Sequence, residues 1–364
     1  MRDDEVAVAS RRVGLTQRLD RYQRRHRWLG FPLAVLYKFF DDQGVYLAVL
    51  ITHYAFLSIF PLLLISSSIL GFVLQGSPQL QERILDSALR QFPLIGEQLV
   101  RPEGLRGSAA AIVVGVISSV YGALGVTLAV QNAMNVAWAV PRNSRPNPIR
   151  LRIRGARLLA TVGVAFAGTT FVSAVSNRTS SFGTVFGGPA RGALVVVAIL
   201  LNVAMFSFVF RTATTRSVSL RESMPGALTA ALLWQLLQLG GAFYIRQVIQ
   251  DATTTNGIFA LVLGLIAWLY LGAASLVLCA EINVVVAGRL HPRALLTPFT
   301  DRVNLTEGDR AAYSSYARAQ RHKGYETVEI AFDRDGQFGP PEDAEPVAAP
   351  ISAQAVSQPA RTTS

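Results

Sequence analysis

Residues 259–286 read FALVLGLIAWLYLGAASLVLCAEINVVV, and Glu281 is the one charged side chain among them. An α-helix rises about 1.5 Å per residue, so about 20 mostly apolar residues cross the roughly 30 Å of hydrocarbon in a bilayer. The stretch is long enough to do so. It predicts a transmembrane helix in the C-terminal half of the chain.

Five further apolar segments precede it, at 45–74, 109–131, 157–176, 193–210 and 226–245. An interruption such as Pro61 does not argue against a span, because neighbouring helices can satisfy the backbone groups that a proline frees. The chain is 51% hydrophobic and 16% charged, whereas soluble proteins have about a quarter charged residues. These features predict an all-α membrane protein built as a six-transmembrane-helix bundle.

The charges favour one orientation of this bundle. The chain has a net charge of +11, which is typical either of nucleic-acid binding or of the Lys and Arg excess that marks cytoplasmic loops. On the six-span topology, 27 Lys and Arg residues fall on the side of the two termini and 7 on the other side. This asymmetry predicts a multi-pass membrane protein with both termini in the cytoplasm. It also explains the basic composition without a nucleic-acid partner.

Four regions follow from these patterns. Residues 1–44 form a basic cytoplasmic segment whose aromatic residues around Lys38 suit a helix at the membrane interface, or equally one packed on the bundle. Residues 45–290 form the transmembrane domain, including an amphipathic helix near residues 80–92. Residues 291–335 form a cytoplasmic tail with a short helix starting at Thr306, and residues 336–364, rich in Pro, Ala, Ser and Gln, are expected to be disordered.

Ionisable and amide side chains inside the spans are the candidate site. A charge at the bilayer centre costs about 2.5 to 3.5 kcal/mol on insertion scales, so each such group needs a partner or a cavity. His53 in the first span and Glu281 in the sixth fall in the same, cytoplasmic half of the membrane. We expect both to line a polar cavity with three asparagines at similar depth, Asn132, Asn135 and Asn283.

Glu281 admits two interpretations. Ala267, Ala274 and Glu281 are spaced by seven residues and share one face of a helix, and small residues let helices approach closely in lipid. That face is expected to pack into the bundle and to carry Glu281 inward. Alternatively, Glu281 pairs with an arginine such as Arg211 or Arg289 and only anchors the end of the helix.

Three polar residues lie nearer the middle of the membrane. Asn202, Gln235 and Gln238 belong to the fourth and fifth predicted spans. Hydrogen bonds between helices, at about 1 kcal/mol each, explain such residues, although a polar pathway would use the same side chains.

Motifs of soluble enzymes are missing from the sequence. It has no HExxH pattern, no cluster of His and carboxylate residues with metal-ligand spacing, and no phosphate-binding GxxxxGK[ST] loop. The single cysteine, Cys279, lies in an apolar run and excludes an intramolecular disulfide. We therefore expect no catalytic residues, no metal and no cofactor.

Four blocks of sequence resemble one family of bacterial inner-membrane proteins, the YihY/BrkB family. They are DDQGVYLAVLITHYAFLSIFPLLL at 41–64, NAMNVAW at 132–138, FRTATTRSVSLRESMPGALTAALLWQLLQ at 210–238, and TNGIFALVLGLIAWLYLGAASLVLCAEINVV at 255–285. The family's glycine before the last helix and its carboxylate near the end of that helix are matched by Gly257 and Glu281. We interpret Pro61, Pro225, Gly226 and Gly257 as structural positions. His53 stands where many members have a small residue.

The resemblance implies a function in the cell envelope. Members once carried the name ribonuclease BN, a label generally regarded as a misassignment, and others have been linked to serum resistance or envelope lipid biogenesis. We therefore expect a transporter or flippase-like protein that acts on a lipid or another amphipathic small molecule. The alternatives are a non-transporting membrane scaffold or assembly factor and, least favoured, a ribonuclease. Membrane lipids are expected partners, and a homo-oligomer or a complex with envelope proteins is left open.

Overall fold

The structure is a computed structural model that describes residues 20–73, 109–179, 187–244, 254–297 and 303–332. These residues form helices and connecting turns, with no strand among them. The helices are α1 (Arg27–Asp41), α2 (Gly44–Val73), α3 (Ala109–Ala137), α4 (Pro148–Thr179), α5 (Gly187–Thr212), α6 (Leu220–Tyr244), α7 (Thr254–Gly288) and α8 (Glu307–Ala319).

The six long helices form a ring. Each of α2 to α7 packs against the next helix in the chain, and α7 also packs against α2, which closes the ring. Helix α7 contacts α1 and α3 as well, so it touches more of the other helices than α4 or α5 does. The last long helix of the chain is therefore the one that joins the two ends of the bundle.

All six predicted apolar segments coincide with these long helices. Within the described residues, two helical segments are both long and apolar enough to cross a membrane, Leu220–Tyr244 and Phe259–Gly288. Gly44–Ile59 and Val196–Thr212 are shorter apolar stretches. The all-helical architecture is thus confirmed, whereas the count of six spans stays a prediction.

Helix α6 shows how the bundle sorts its side chains. Its outer face carries large apolar residues that are more than half exposed, at helical spacing: Leu228, Leu232, Leu236, Leu239 and Phe243. Its inner face carries small buried residues, among them Ala227 and Ala230. A long apolar stripe turned outward is unfavourable in water and suits a lipid environment, and small inner residues let the helices approach closely.

Gly226 marks a close approach of α6 to α7. A Cβ atom at this position would lie 2.2 Å from the carbonyl oxygen of Cys279. The backbone N–H of Gly226 also donates a hydrogen bond to Asn283 Oδ1, at 2.7 Å. Pro225 lies inside α6 immediately before it, and Pro61 and Gly257 lie inside α2 and α7.

The predicted inner face of α7 is only partly correct. Glu281 is buried and Ala274 is half-buried, but Ala267 is exposed. The buried stripe runs instead through Ala273, Val277 and Ala280. Two seven-residue repeats turn only about 40° on a straight helix, so drift alone does not explain the exposure of Ala267. At its level the buried residues of α7 are Leu265 and Trp268, which lie on a different face from Glu281.

Two helices, α1 and α8, lie outside the ring. Helix α1 does both things that the sequence allowed: it buries Ala34, Val35 and Lys38 against the bundle, and it leaves Trp28 and Phe40 exposed. Helix α8 confirms the predicted helix in the tail, with Thr306 and Asp309 forming a reciprocal capping box. The predicted helix near 80–92 and the tail beyond residue 335 lie outside the described residues.

Candidate functional site

Lys38 occupies a buried position between α1, α3 and α7. Its side chain is 1% exposed, and its ammonium pairs with the carboxylate of Asp42, one turn further along the chain. It also donates a hydrogen bond to the carbonyl oxygen of Ala137 at 3.0 Å, and Glu281 Oε2 lies 3.5 Å from its Nζ atom. Lys38 therefore joins three helix ends.

A tight turn brings Asp42 back to Lys38. Helix α1 ends at Asp41, Gln43 adopts a left-handed φ of 56°, and α2 begins at Gly44. A Cβ atom on Gly44 would lie 2.4 Å from the Phe39 ring, so the turn needs a glycine there. The DDQG sequence thus directs a carboxylate into the bundle at the point where α1 meets α2.

Glu281 is the carboxylate that the sequence singles out, and it is fully buried. Among the described residues, neither of its oxygens has a hydrogen-bond partner, and its counter-charge is Lys38 at 3.5 Å. The alternative pairing with Arg211 or Arg289 is wrong, because Lys38 takes that place. When Asp42 and Glu281 are both ionised, two negative charges share one positive charge.

Burial and neighbouring charges together shift the pKa values of the two groups that precede α2, Lys38 and Asp42. Burial alone would lower the pKa of Lys38, but the charges of Glu281 and Asp42 outweigh it and raise the pKa. Burial raises the pKa of Asp42, although Lys38 opposes that shift. Lys38 is therefore held in its charged form.

A second buried pair lies beside the first. Arg293 is 1% exposed; its Nε donates to Asp309 Oδ1 at 2.6 Å and its Nη1 to Asp41 Oδ2 at 3.0 Å. Its guanidinium also lies 5.4 Å from the centre of the Tyr313 ring. Burial alone would lower the pKa of Arg293, but the hydrogen bond to Asp309 and the charge of Asp41 raise it.

Tyr316 on α8 connects the two pairs. Its ring centre lies 5.0 Å from Lys38 Nζ, and its hydroxyl donates a long hydrogen bond to Asp41 Oδ2 at 3.5 Å. Burial raises the pKa of Tyr316, and the nearby charges of Asp42 and Asp41 raise it further, so the hydroxyl keeps its proton. We call this set of residues the charge network: Lys38, Asp41, Asp42, Glu281, Arg293, Asp309 and Tyr316.

The three asparagines predicted for a shared cavity each make a separate contact. Asn135 is buried, and its Oδ1 accepts the backbone N–H of Thr215 at 2.8 Å, which fastens α3 to the loop between α5 and α6. Asn283 is buried and holds the N–H of Gly226. Asn132 is half-buried, and its Oδ1 accepts from Arg145 at 3.2 Å. These contacts join segments at the same end of the bundle as the charge network.

His53 does not join the other predicted residues. Its side chain is exposed, and its ring contacts that of Tyr54, with the ring centres 5.6 Å apart. The buried stripe of α2 runs through Leu47, Ala48 and Ile51, and position 53 lies on the opposite face. Depth in the membrane was predicted from the topology, but depth does not determine which way a side chain faces.

The three midplane residues have different surroundings. Asn202 is buried on α5, whereas Gln235 and Gln238 are half-buried on α6. The described residues show no side-chain hydrogen bond from any of the three, so the interhelical bonds expected for them are not seen there.

Of the charge network, the sequence analysis predicted only Glu281 as a site residue. It did not predict Asp41, Asp42, Arg293 or Asp309 as site residues, nor Lys38 as the partner of Glu281. One signal was available. Lys38 and Lys323 are the only lysines among the 34 cationic residues, and Lys38 lies four residues before Asp42 in a largely apolar segment. Pairing across more than 200 residues of sequence carries no such local signal.

These observations define an all-helical membrane protein with buried charges at one end of its bundle. The chain belongs to the virulence factor BrkB family, which it matches over residues 35–302. This confirms the resemblance found in the sequence blocks.

Two relatives of the chain are named as membrane proteins. The chain is 27% identical over 271 residues to a UPF0761 membrane protein of Halorhodospira halophila, covering 71% of this chain and 57% of the relative. It is 26% identical over 300 residues to the UPF0761 membrane protein Smlt0865 of Stenotrophomonas maltophilia, covering 77% and 66%. The chain thus spans less than two thirds of the length of these relatives. No solved structure matches it.

Proposed function

We propose that this protein moves a lipid-like, amphipathic envelope molecule across the bacterial inner membrane. In this proposal the six long helices all span the membrane and both termini are cytoplasmic, so the charge network lies at the cytoplasmic end. Reporter fusions after Val100 and after Asp251 should then be external, and a fusion at Arg145 should be cytoplasmic. A reversal of any of the three would contradict this topology.

The observation that supports transport is Glu281. Ionisable residues within membrane helices are costly and typically belong to a substrate or ion pathway. Glu281 is fully buried in α7, its oxygens have no hydrogen-bond donor among the described residues, and Lys38 approaches it only to 3.5 Å. A carboxylate held this loosely is suited to exchanging its partner during a transport cycle.

Lys38 supplies the exchangeable charge. It is shared between Asp42, which pairs with it closely, and Glu281, which is farther away. An anionic headgroup near Lys38 competes with both carboxylates, so substrate arrival would loosen the contact between α1 and α7. We infer that this contact opens and closes the cytoplasmic end of the bundle.

Transport is tested with the full chain reconstituted in liposomes, by measuring how fast a fluorescent phospholipid changes leaflet. Glu281→Gln is the informative variant because it keeps the side-chain shape and leaves Lys38 paired with Asp42. We expect its rate to fall at least about tenfold, the effect of about 1.4 kcal/mol. The matched control is Glu222→Gln, a carboxylate near the start of α6 that pairs with Arg216 at the surface. Equal rates for the two variants would overturn the proposal.

A scaffold whose tail recruits partners is the alternative, and truncation separates the two. The cut must follow residue 332, because Arg293 and Asp309 are buried parts of the fold. If the protein is a transporter, the chain truncated there should keep its transport rate. If it is a scaffold, the truncated chain should no longer bind its partners in a pull-down. Hydrolysis of RNA by the purified protein, after contaminating soluble nucleases are removed, would instead favour a ribonuclease.

A further inference from the structure

An apolar cavity of about 210 Å³ lies between α3, α4, α5 and α7, away from the charge network. Its walls include Val130, Leu158, Val162, Phe206, Val209 and Leu276. Leu159, which also lines it, is 41% exposed, so the cavity reaches the outer surface as a groove. It is larger than the roughly 150 Å³ apolar cavity that binds a molecule of the size of benzene.

The groove offers no polar group to a ligand along its length. Thr127 is its one lining residue with a hydroxyl, and that hydroxyl already donates to the carbonyl oxygen of Leu124 at 2.9 Å. A long apolar ligand therefore fits the groove, and a polar one does not.

Two arginines stand at one end of the groove. Arg154 lies four residues before Leu158, and Arg152 lies seven residues before Leu159, so each shares a face of α4 with a lining residue. Arg154 Nη1 donates to the carbonyl oxygen of Thr214 at 3.2 Å, which places it over the gap between α4 and the end of α5. Neither arginine forms an ion pair within the described residues.

Gln131 is buried next to the arginine end of the groove. It is 1% exposed and adjoins Val130, and its Nε2 donates to the carbonyl oxygen of Leu151 at 3.1 Å. Its Oε1 has no hydrogen-bond partner in the part of the chain that the structure describes. Gln131 does not line the groove, so we assign no ligand contact to this atom.

The groove and its end have complementary chemistry. The predicted third span begins at residue 157, so Arg152 and Arg154 lie at headgroup depth while Leu158 and Val162 lie within the hydrocarbon. Arginine binds phosphate through several N–H donors at once, and one of those of Arg154 is engaged by Thr214. We propose that the groove binds an acyl chain of an anionic phospholipid, whose phosphate contacts Arg152 and Arg154.

This inference deepens the proposed function and rests on it for the choice of a lipid as ligand. It is tested at equilibrium, by native mass spectrometry of the delipidated full chain titrated with phosphatidylglycerol or phosphatidylethanolamine. We expect one tightly held phosphatidylglycerol and at least about tenfold weaker binding of phosphatidylethanolamine. This experiment measures binding and not transport. The lipid-binding inference can therefore fail while the transport proposal holds, and the transport proposal can fail while lipid binding is found.

Two variants test the two halves of the site. Arg152→Gln combined with Arg154→Gln should weaken phosphatidylglycerol binding about tenfold, whereas the control Arg157→Gln should not. Arg157 is an exposed arginine on α4 that lies about 140° around the helix from Val162. Val162→Trp should weaken binding of both lipids by filling the groove.

Three outcomes would overturn the proposal. They are equal affinity for the two lipids, equal loss in Arg157→Gln and the double variant, and unchanged binding in Val162→Trp. The thermal midpoint of each variant, measured in the same detergent, shows that it is folded. If Val162→Trp does not fold, Val162→Phe replaces it and must give the same weakening.

Discussion

The charge network and the apolar groove differ in how tightly their side chains are packed and in how strongly they depend on particular partners. In the network, Lys38, Glu281, Arg293 and Asp309 are almost completely buried, so each charge depends on a particular partner. In the groove, the apolar walls are partly exposed and leave free space. A buried charge without its partner is strongly destabilising, whereas an apolar surface accepts many neighbours. The network should therefore tolerate little change and the groove much.

The largest loss of stability is expected for Lys38→Met. This change leaves Asp42 and Glu281 buried without a cation, and breaking a buried pair from one side costs about 3 to 5 kcal/mol. Thermal unfolding in detergent measures the loss. The control is Lys323→Met, at the chain's other lysine, which is exposed. Similar midpoints for the two variants would show that the network is not a stabilising unit.

A somewhat smaller loss is expected for Arg293→Met, about 3 kcal/mol. Asp309 would stay buried without a cation, but Asp41 is 24% exposed and water can solvate it. Arg289→Met, at an exposed arginine four residues earlier, is the control. If the Arg293 variant were as stable as this control, the pair of Arg293 with Asp309 would not contribute to the stability of the fold.

Gly226→Ala probes a close helix contact at the network's end of the bundle. The added methyl group would meet the Cys279 carbonyl oxygen and the Asn283 amide, and overpacking of this kind costs about 1 to 3 kcal/mol. Gly240→Ala on the same helix is the control, since nothing lies within 4 Å of its Cβ position. An equal or higher midpoint for the Gly226 variant than for the control would contradict the close packing.

Val162→Trp makes the corresponding change in the groove. There the larger ring enters free space, so we expect a loss of less than about 1 kcal/mol. The same substitution at Val277, which is fully buried in α7, should cost clearly more. Equal losses at the two positions would mean that the groove is as tightly packed as the core.

The smallest effect is expected for His53→Ala. The side chain is exposed and outside the charge network, so stability should change by no more than about 0.5 kcal/mol. The transport rate should stay at the level of the unchanged chain. A transport rate as low as that of Glu281→Gln would contradict this prediction and show that His53 takes part in transport.

The sequence was sufficient for the helices and insufficient for their faces. Apolar length predicted the positions of α2 to α7, and Thr306 with Asp309 predicted the start of α8. Which residues face inward was predicted less well, as His53 and Ala267 show. In a soluble helix the polar side indicates the surface, but in a membrane helix both sides are apolar, and the sequence pattern loses this information.

The candidate site could be predicted only in part for a related reason. Glu281 is conspicuous because it is a lone charge in an apolar run, and Asn135 and Asn283 proved to be buried as well. Their partners are Lys38, Thr215 and Gly226, which lie far away in sequence or offer only backbone groups. Those pairings depend on how the ring closes, which no single segment encodes.

Ring closure also means that the N-terminal segment is synthesised well before its partners at the other end of the chain. Lys38 meets Asp42 almost at once, but Glu281 leaves the ribosome much later, and the side chain of Gln23 binds the carbonyl oxygen of Arg293, 270 residues away. At about 5 to 20 residues per second, that interval lasts roughly 14 to 54 s. During that time the nascent N-terminal segment lacks its final partners. A chain that stops before α7 therefore leaves Lys38 without Glu281 and Gln23 without the carbonyl oxygen of Arg293.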